Sequence, residues 1–169
     1  MFPGGAGAGA PGEAMEIYKV PTNETQVRIL LDDGRMIEGA IYTATTGPSG
    51  GPETVLDRLL DSSEEFLPLA AGTDKLLLNK GGILLVEIPP DAAGMTDFDG
   101  GAKEVLVRVT LAGGTSILGK LAIRMPDESS RVLDYLNAAP RFLPVLGERR
   151  IALLQKRFIV SVRGEAENE

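Results

Sequence analysis

The sequence predicts a mostly β protein built from two tandem five-stranded small barrels, each with a short helix between strands two and three. A unit of about 60 residues occurs twice: VRILLDDGRMIEGAIY at 27–42 matches VRVTLAGGTSILGKLA at 107–122. Within each copy, apolar residues alternate with the period of two that is typical of half-buried strands. Gly39 and Gly119 occupy the same place in the middle of strand two. Glycine weakens a strand, so it favours a sharp bend there, as at a barrel corner.

The elements follow in the same order in both copies. After the first strand, DG at 33–34 and GG at 113–114 supply the positive-φ residues of a tight hairpin. Short helices are predicted at VLDRLL and VLDYL, the second after the acidic helix start at 126–128. FLPL and FLPV predict the third strands, KLLLN and IALLQ the fourth, and ILLVEI and FIVSVR the fifth. MEIYKV at 15–20 is interpreted as a short strand or the approach to one.

The predicted organisation has five parts. They are a disordered Gly/Ala-rich tail at 1–14, a first repeat at 15–88, a linker at 89–102, a second repeat at 103–163 and an acidic tail at 164–169. A chain of ~60 residues buries only ~60% of its unfolded surface, so a single core of that size is marginal. We therefore expect the repeats to support each other or to assemble.

Composition excludes several classes of function. The chain has no Cys and no His, so it lacks thiolate metal sites and the commonest general base near neutral pH. We expect no enzymatic activity, no cofactor and no metal. No apolar run approaches the ~20 residues of a membrane span, and the N-terminus lacks the features of a signal peptide. We therefore expect a cytoplasmic protein that does not bind membranes.

The two repeats carry opposite charge. Residues 27–88 contain 5 basic and 10 acidic side chains, a net charge of −5, whereas residues 103–163 contain 11 basic and 5 acidic side chains, a net charge of +6. Opposite charge on matching scaffolds favours contact between the repeats, within one chain or between chains. Drift of solvated surface charges, which are cheap to change, is the alternative explanation.

The pattern V-x-[IV]-x-L-x-x-G-x-x-I-x-G-x-[IL] resembles the first motif of the Sm/LSm family. The apolar strand pairs around NKGG at 79–82 and QKR at 155–157 resemble the second motif, and the resemblance covers 27–88 and 105–163. It implies small barrels whose strands four and five pair with neighbours in a ring, and RNA binding at the final turn. The helix departs from the family pattern, which places one before the first strand, and the family's Asp-x-x-x-Asn signature is absent.

Polar and cationic residues near the turns of the late strands form the candidate binding site. They are Asn79, Lys80, Arg149, Arg150, Gln155, Lys156 and Arg157. Together they predict an anion- or RNA-binding patch. Polar turns with solvated cations are the alternative, and RNA is the less favoured partner because the chain is acidic overall and poor in aromatic residues for base stacking.

The remaining polar motifs are interpreted structurally. Asp32 and Asp33 lie on the predicted hairpin turn, where Asp is favoured for backbone reasons. For the matched Asp57 and Asp134, a solvated helix face or a local hydrogen bond is favoured over an acid function. GTSILGK at 114–120 lacks the spacing of a phosphate loop.

The late strand pairs KLLLNKGGILLVEI and RIALLQKRFIVSVR are apolar at nearly every position. An exposed edge of this composition would aggregate, so we expect each pair to be covered by the other copy or by a partner. The favoured function is a non-enzymatic interaction or assembly module that binds a protein partner or itself through edge strands. The alternative is an RNA- or nucleotide-binding LSm-like protein that acts through the basic second repeat.

Overall fold

The computed structural model describes residues 21–47, 50–92, 102–124 and 131–165. The first repeat contains β1 (Thr22–Leu31), β2 (Met36–Ala44), α1 (Val55–Leu60), β3 (Phe66–Ala71), β4 (Asp74–Asn79), a 3-10 turn (Lys80–Gly82) and β5 (Ile83–Ile88). The second contains β6 (Lys103–Leu111), β7 (Ser116–Ile123), α2 (Val132–Ala138), β8 (Phe142–Leu146), β9 (Ile151–Gln155), a 3-10 turn (Lys156–Phe158) and β10 (Ile159–Gly164). The mostly β prediction, with a helix between the second and third strands of each repeat, is confirmed.

All ten strands form a single antiparallel sheet in the order β10-β6-β7-β8-β9-β5-β1-β2-β3-β4. Each half of the sheet has the same internal order: the fifth strand of its repeat, then the first to the fourth. Among the described residues the sheet is open, and its two free edges are β4 and β10. Two five-stranded barrels were predicted; the structure shows one continuous sheet instead, because β5 and β9 pair with each other across the repeats.

Each half of the sheet is nevertheless strongly curved. β4 and β5 lie at opposite ends of the first half, yet only the three residues Lys80–Gly82 separate them in the chain. All five strands of that half, together with α1, contribute buried side chains to one aliphatic core. The second half is connected in the same way by Lys156–Phe158. A flat sheet would not allow such short connections between its outer strands.

The matched glycines of strand two permit a close approach of the third strand. A Cβ on Gly39 would lie 2.6 Å from the carbonyl oxygen of Ala70, and a Cβ on Gly119 would lie 2.8 Å from that of Leu146. One residue pair, Ala40 with Ala70, joins β2 to β3 at this point. Glycine is required because any larger residue would push the strands apart.

The hairpin predictions are confirmed by the backbone. Gly34 and Gly114 have φ angles of 91° and 97°, in the region that favours glycine. Asp33 accepts hydrogen bonds from the backbone N–H and the Nε of Arg35. These bonds, the backbone one first, hold the pKa of the Asp33 carboxyl below its ordinary value. Asp33 therefore stabilises the turn, as the sequence suggested.

The matched acidic residues of the helices also make local contacts. Asp57 completes a capping box with Thr54: each side chain accepts a hydrogen bond from the other's backbone N–H at 2.9 Å. Asp134 forms an ion pair with Arg131 at 3.1 Å. A structural function for both Asp residues is consistent with the sequence-based interpretation.

The two buried cores share side chains across the repeats. Phe142, Ile151 and Leu153 of the second repeat pack into the first core, whereas Leu84 and Leu85 of the first repeat pack into the second. Each repeat therefore supplies part of the core of the other. This enlarges the core of a repeat that would be only marginally stable by itself.

Several predicted segments lie outside the described residues. They are the tail at 1–14, the strand at 15–20, the linker from 93 to 101, the helix start at 126–128 and the last residues, 166–169. Among the described helices, none is long and apolar enough to cross a bilayer.

Candidate functional site: the internal junction and the free strands

The repeats meet along β5 and β9, a contact that we call the internal junction. Residues 85–88 of β5 pair with residues 151–154 of β9 in antiparallel register, from Leu85 opposite Leu154 to Ile88 opposite Ile151. All four of these side chains are buried. Apolar pairs on both faces of a two-strand contact exclude water from its hydrogen bonds, which stabilises the contact.

Gln155, predicted to bind an anion or RNA, instead ties the two repeats together. Its side chain is fully buried. Its Nε2 donates to the carbonyl oxygens of Lys80 at 2.9 Å and Ile83 at 2.6 Å, and its Oε1 accepts from Arg141 Nε at 2.9 Å. Because its side-chain amide is engaged on both sides, Gln155 is a bridge within the internal junction.

The matched lysines bind the ends of the helices in their own repeats. Lys80 is fully buried, and its Nζ donates to the carbonyl oxygens of Arg58 and Asp61, at 2.6 and 3.0 Å. Lys156 Nζ donates likewise to Asn137 and Ala139, at 3.2 and 2.9 Å. A cation at a helix C-terminus satisfies carbonyls that have no partner within the helix. Burial lowers the pKa of Lys80.

The predicted cations do not form one patch. Arg149 and Arg150 are exposed and precede β9, whereas Lys156 and Arg157 follow it. At about 3.3 Å per strand residue, the two groups are about 20 Å apart. Arg150 contacts Glu87 across the internal junction, with Nη1 4.0 Å from Oε1.

A shallow cleft of about 580 Å³ lies where the turn after β4 meets the second repeat. The cations Arg141 and Arg157 line it, but so do the carboxylates Asp32 and Glu65. Asn79 borders the same cleft, and its Oδ1 accepts a hydrogen bond from the backbone N–H of Gly81 at 2.8 Å. Charges of both signs make this cleft a weak match for a polyanion.

The free strands β4 and β10 expose apolar side chains, and so does Phe66 of β3, the strand beside β4. Their exposure is clearest when each residue is compared with its equivalent at or beside the internal junction. Phe66 is 51% exposed and its equivalent Phe142 is 0% exposed; Leu77 is 64% exposed and Leu153 is 0% exposed; Val160 is 68% exposed and Leu84 is 4% exposed. Copy-against-copy comparison of the sequence pairs these residues, but it does not show which copy is covered.

No protein-family model matches this chain, and no curated protein or solved structure is similar enough to count as a match. Within the four described ranges, no group of three or more acidic side chains is placed to hold a metal ion.

Proposed function

We propose that this chain is a non-enzymatic assembly module made of two Sm-like small barrels, which associates end to end with further copies of itself. The contact joins β4 of one copy to β10 of the next. One observation carries the proposal: the apolar residues that the free strands expose are the equivalents of residues buried at the internal junction. The free edges are two halves of a contact that the chain already makes once internally.

The strand order and curvature of each half support the Sm-like part of the proposal. In the Sm-like arrangement that the motifs suggested, strands four and five pair between neighbouring barrels. The internal junction joins a fifth strand, β5, to a fourth strand, β9. The free edges offer the same combination, because β4 is a fourth strand and β10 is a fifth strand.

The net charges of the repeats favour the same contact. β4 belongs to the repeat with a net charge of −5 and β10 to the repeat with a net charge of +6. End-to-end association therefore brings an acidic repeat against a basic one at every new contact, as within the chain. Such a head-to-tail contact leaves one free β4 and one free β10 at the ends, so it propagates until a ring closes or a filament grows.

Sedimentation velocity of the full chain over a wide concentration range tests this function. We expect species heavier than the 17.9 kDa monomer whose proportion rises with concentration. Leu77→Lys and Val160→Lys each place a charge on one free strand and should abolish the heavier species. Leu133→Lys is the matched control, because Leu133 is an exposed apolar residue of α2.

A chain that stays monomeric at all concentrations would contradict the proposal. Loss of association in Leu133→Lys to the same degree as in Leu77→Lys would contradict the assignment to the free strands. Circular dichroism of each variant shows whether the fold is retained.

RNA binding at the cleft is a second candidate, supported by Arg141 and Arg157, which both line it. Asp32 and Glu65 in the same cleft make us favour assembly. Fluorescence anisotropy with single-stranded RNA at low salt distinguishes the two functions. Salt-dependent binding that Arg157→Ala removes would support the second candidate, and absence of binding would exclude it.

A further inference from the structure

An ion pair crosses the internal junction on one face of the sheet. Glu87 of β5 lies opposite Ala152 in the register, and Arg150 is two residues from Ala152, on the same face. The Arg150 and Glu87 side chains approach to 4.0 Å. Arg28 contacts the same carboxylate oxygen at 3.5 Å. Glu87 is therefore an acidic position on a fifth strand that faces a basic position before a fourth strand.

The repeat alignment identifies the equivalents of these two residues at the free edges. An offset of 76 residues aligns β5 with β10 and β4 with β9. The pairing with the first strand confirms it, because Glu87 lies opposite Arg28 and Arg163 lies opposite Arg108. Glu87 is thus equivalent to Arg163, and Arg150 is equivalent to Asp74. Both charges are reversed.

From this reversal we infer that a specific ion pair joins neighbouring copies, an inference that rests on the proposed self-association. The carboxylate of Asp74 on β4 of one copy pairs with the guanidinium of Arg163 on β10 of the next copy. The register of the internal junction, transferred by the same offset, places Leu77 opposite Val162 and Leu76 opposite Arg163. Asp74 then lies two residues from Leu76, on the face that Arg163 occupies. In this inference, the partner that pairs with each free strand is a second copy of this chain.

The reversed charges also disfavour an exchange of strands between the internal junction and the proposed contact between copies. If β4 of another copy displaced β9 from β5, Asp74 would face Glu87. If β10 of another copy displaced β5 from β9, Arg163 would face Arg150. Like charges in either exchange oppose it, whereas the correct contacts always join opposite charges. The pair therefore selects for end-to-end growth over exchange of strands within the chain.

The side chain of Arg163 is exposed on the free strand β10, where a neighbouring copy could reach it. Glu165 Oε2 lies 2.9 Å from Arg163 Nε and 3.6 Å from Arg108 Nε, so one carboxylate offsets two guanidinium groups that lie opposite each other. The Arg163 side chain is 72% exposed. A second carboxylate, from Asp74 of a neighbouring copy, would complete the balance of two positive and two negative charges.

Charge reversal at each position tests the pair. Asp74→Arg and Arg163→Glu each put like charges at every contact between identical copies, and we expect each to weaken self-association about tenfold. Both substitutions copy the residue found at the equivalent internal position, so each is compatible with the fold. The double variant D74R/R163E restores opposite charges and should associate as the wild type does.

An equimolar mixture of the two single variants provides the sharpest test. Each variant repels itself, but its β4 is complementary to β10 of the other variant and its β10 to the other's β4. The mixture should therefore form alternating assemblies at wild-type concentrations, measured by sedimentation velocity and by energy transfer between differently labelled variants. Glu24→Arg and Lys103→Glu, charge reversals at exposed residues outside β4 and β10, should leave association unchanged.

The outcomes separate this inference from the proposed function. If the wild type associates and the single variants associate equally well, the pair is wrong and the assembly function stands. If the single variants are weakened but neither the mixture nor the double variant recovers, net charge controls association and the pair is again wrong. A wild type that is monomeric throughout overturns both.

Discussion

The internal junction and the free strands are built from equivalent residues but have opposite surroundings. At the internal junction β5 and β9 lie side by side, and Leu153 of β9 and Phe142 of the adjacent β8 are fully buried. The equivalent residues in the first repeat, Leu77 on the free strand β4 and Phe66 on the adjacent β3, face solvent. The same strand pattern is thus paired and buried in one place and exposed at the edge of the sheet in the other.

The free strands are less apolar than the paired strands at two equivalent positions. Ile151, buried opposite Ile88, is replaced on β4 by the exposed Lys75, and a lysine on an edge strand discourages indiscriminate strand pairing. On the partner strand, Ile88 is replaced by Gly164. The proposed contact between copies would therefore bury less apolar surface than the internal junction, and we expect it to be the weaker and more reversible of the two.

The largest expected effect is the difference in unfolding free energy between Phe142→Ala and Phe66→Ala, two substitutions at equivalent positions. Phe142→Ala removes a fully buried ring that packs into the core of the first repeat, so we expect it to lower the free energy of unfolding by about 3–5 kcal/mol. Phe66→Ala should lower it by less than about 1 kcal/mol in dilute solution, because half of that ring is already exposed. Urea unfolding of both variants measures the difference, and equal losses would show that the two positions are not distinguished by burial.

The next effect concerns the amide bridge of the internal junction. Gln155→Leu leaves the carbonyl oxygens of Lys80 and Ile83 without their side-chain donor, and we expect a loss of about 2 kcal/mol in unfolding free energy. Asn79→Leu, at the equivalent position on β4, loses one exposed turn contact and should cost about 0.5 kcal/mol or less. Chemical denaturation of both variants tests this, and a loss for Asn79→Leu as large as that for Gln155→Leu would contradict the bridging function.

The smallest expected effect concerns the lysines that bind the helix ends. Lys80→Met removes the donor to two carbonyls, and we expect a loss of about 1 kcal/mol at neutral pH. Burial lowers the pKa of Lys80 below its ordinary value of 10.5. Between this lowered pKa and 10.5 the unfolded chain binds more protons at Lys80 than the folded chain does. The contribution of Lys80 to stability therefore rises with pH in that window.

A difference in pH dependence identifies this contribution. Between neutral pH and 10.5, the free energy of unfolding of the wild type relative to Lys80→Met should increase. Lys156→Met retains Lys80 and is the matched control, since it should keep the slope of the wild type. A Lys80→Met variant with the wild-type slope would show that burial of this amine does not control the effect.

Much of the local structure was predictable because the sequence states it twice. The hairpin at Gly34, the helix between strands two and three and the special position of Gly39 depend on residues within one repeat. The candidate site was predicted less well. Lys80 and Lys156 were identified as matched residues, but their partners are helix carbonyls, and a sequence does not show which carbonyls lack a partner. Arg149 and Arg150 were grouped with Lys156 and Arg157 by sequence proximity, whereas the length of β9 separates the groups.

The sequence by itself determined the duplication, the order and type of the elements, and the opposite charge of the repeats, because these properties arise from local patterns. Only the tertiary structure decided that the sheet is open, that β5 and β9 form the internal junction, and that β4 and β10 remain free. Strand partners are chosen by which edges reach each other in three dimensions, and four equivalent edges of similar apolar character do not reveal that choice. Burial then gave equivalent residues different functions: Gln155 became a bridge within the molecule, and Asn79 remained at its surface.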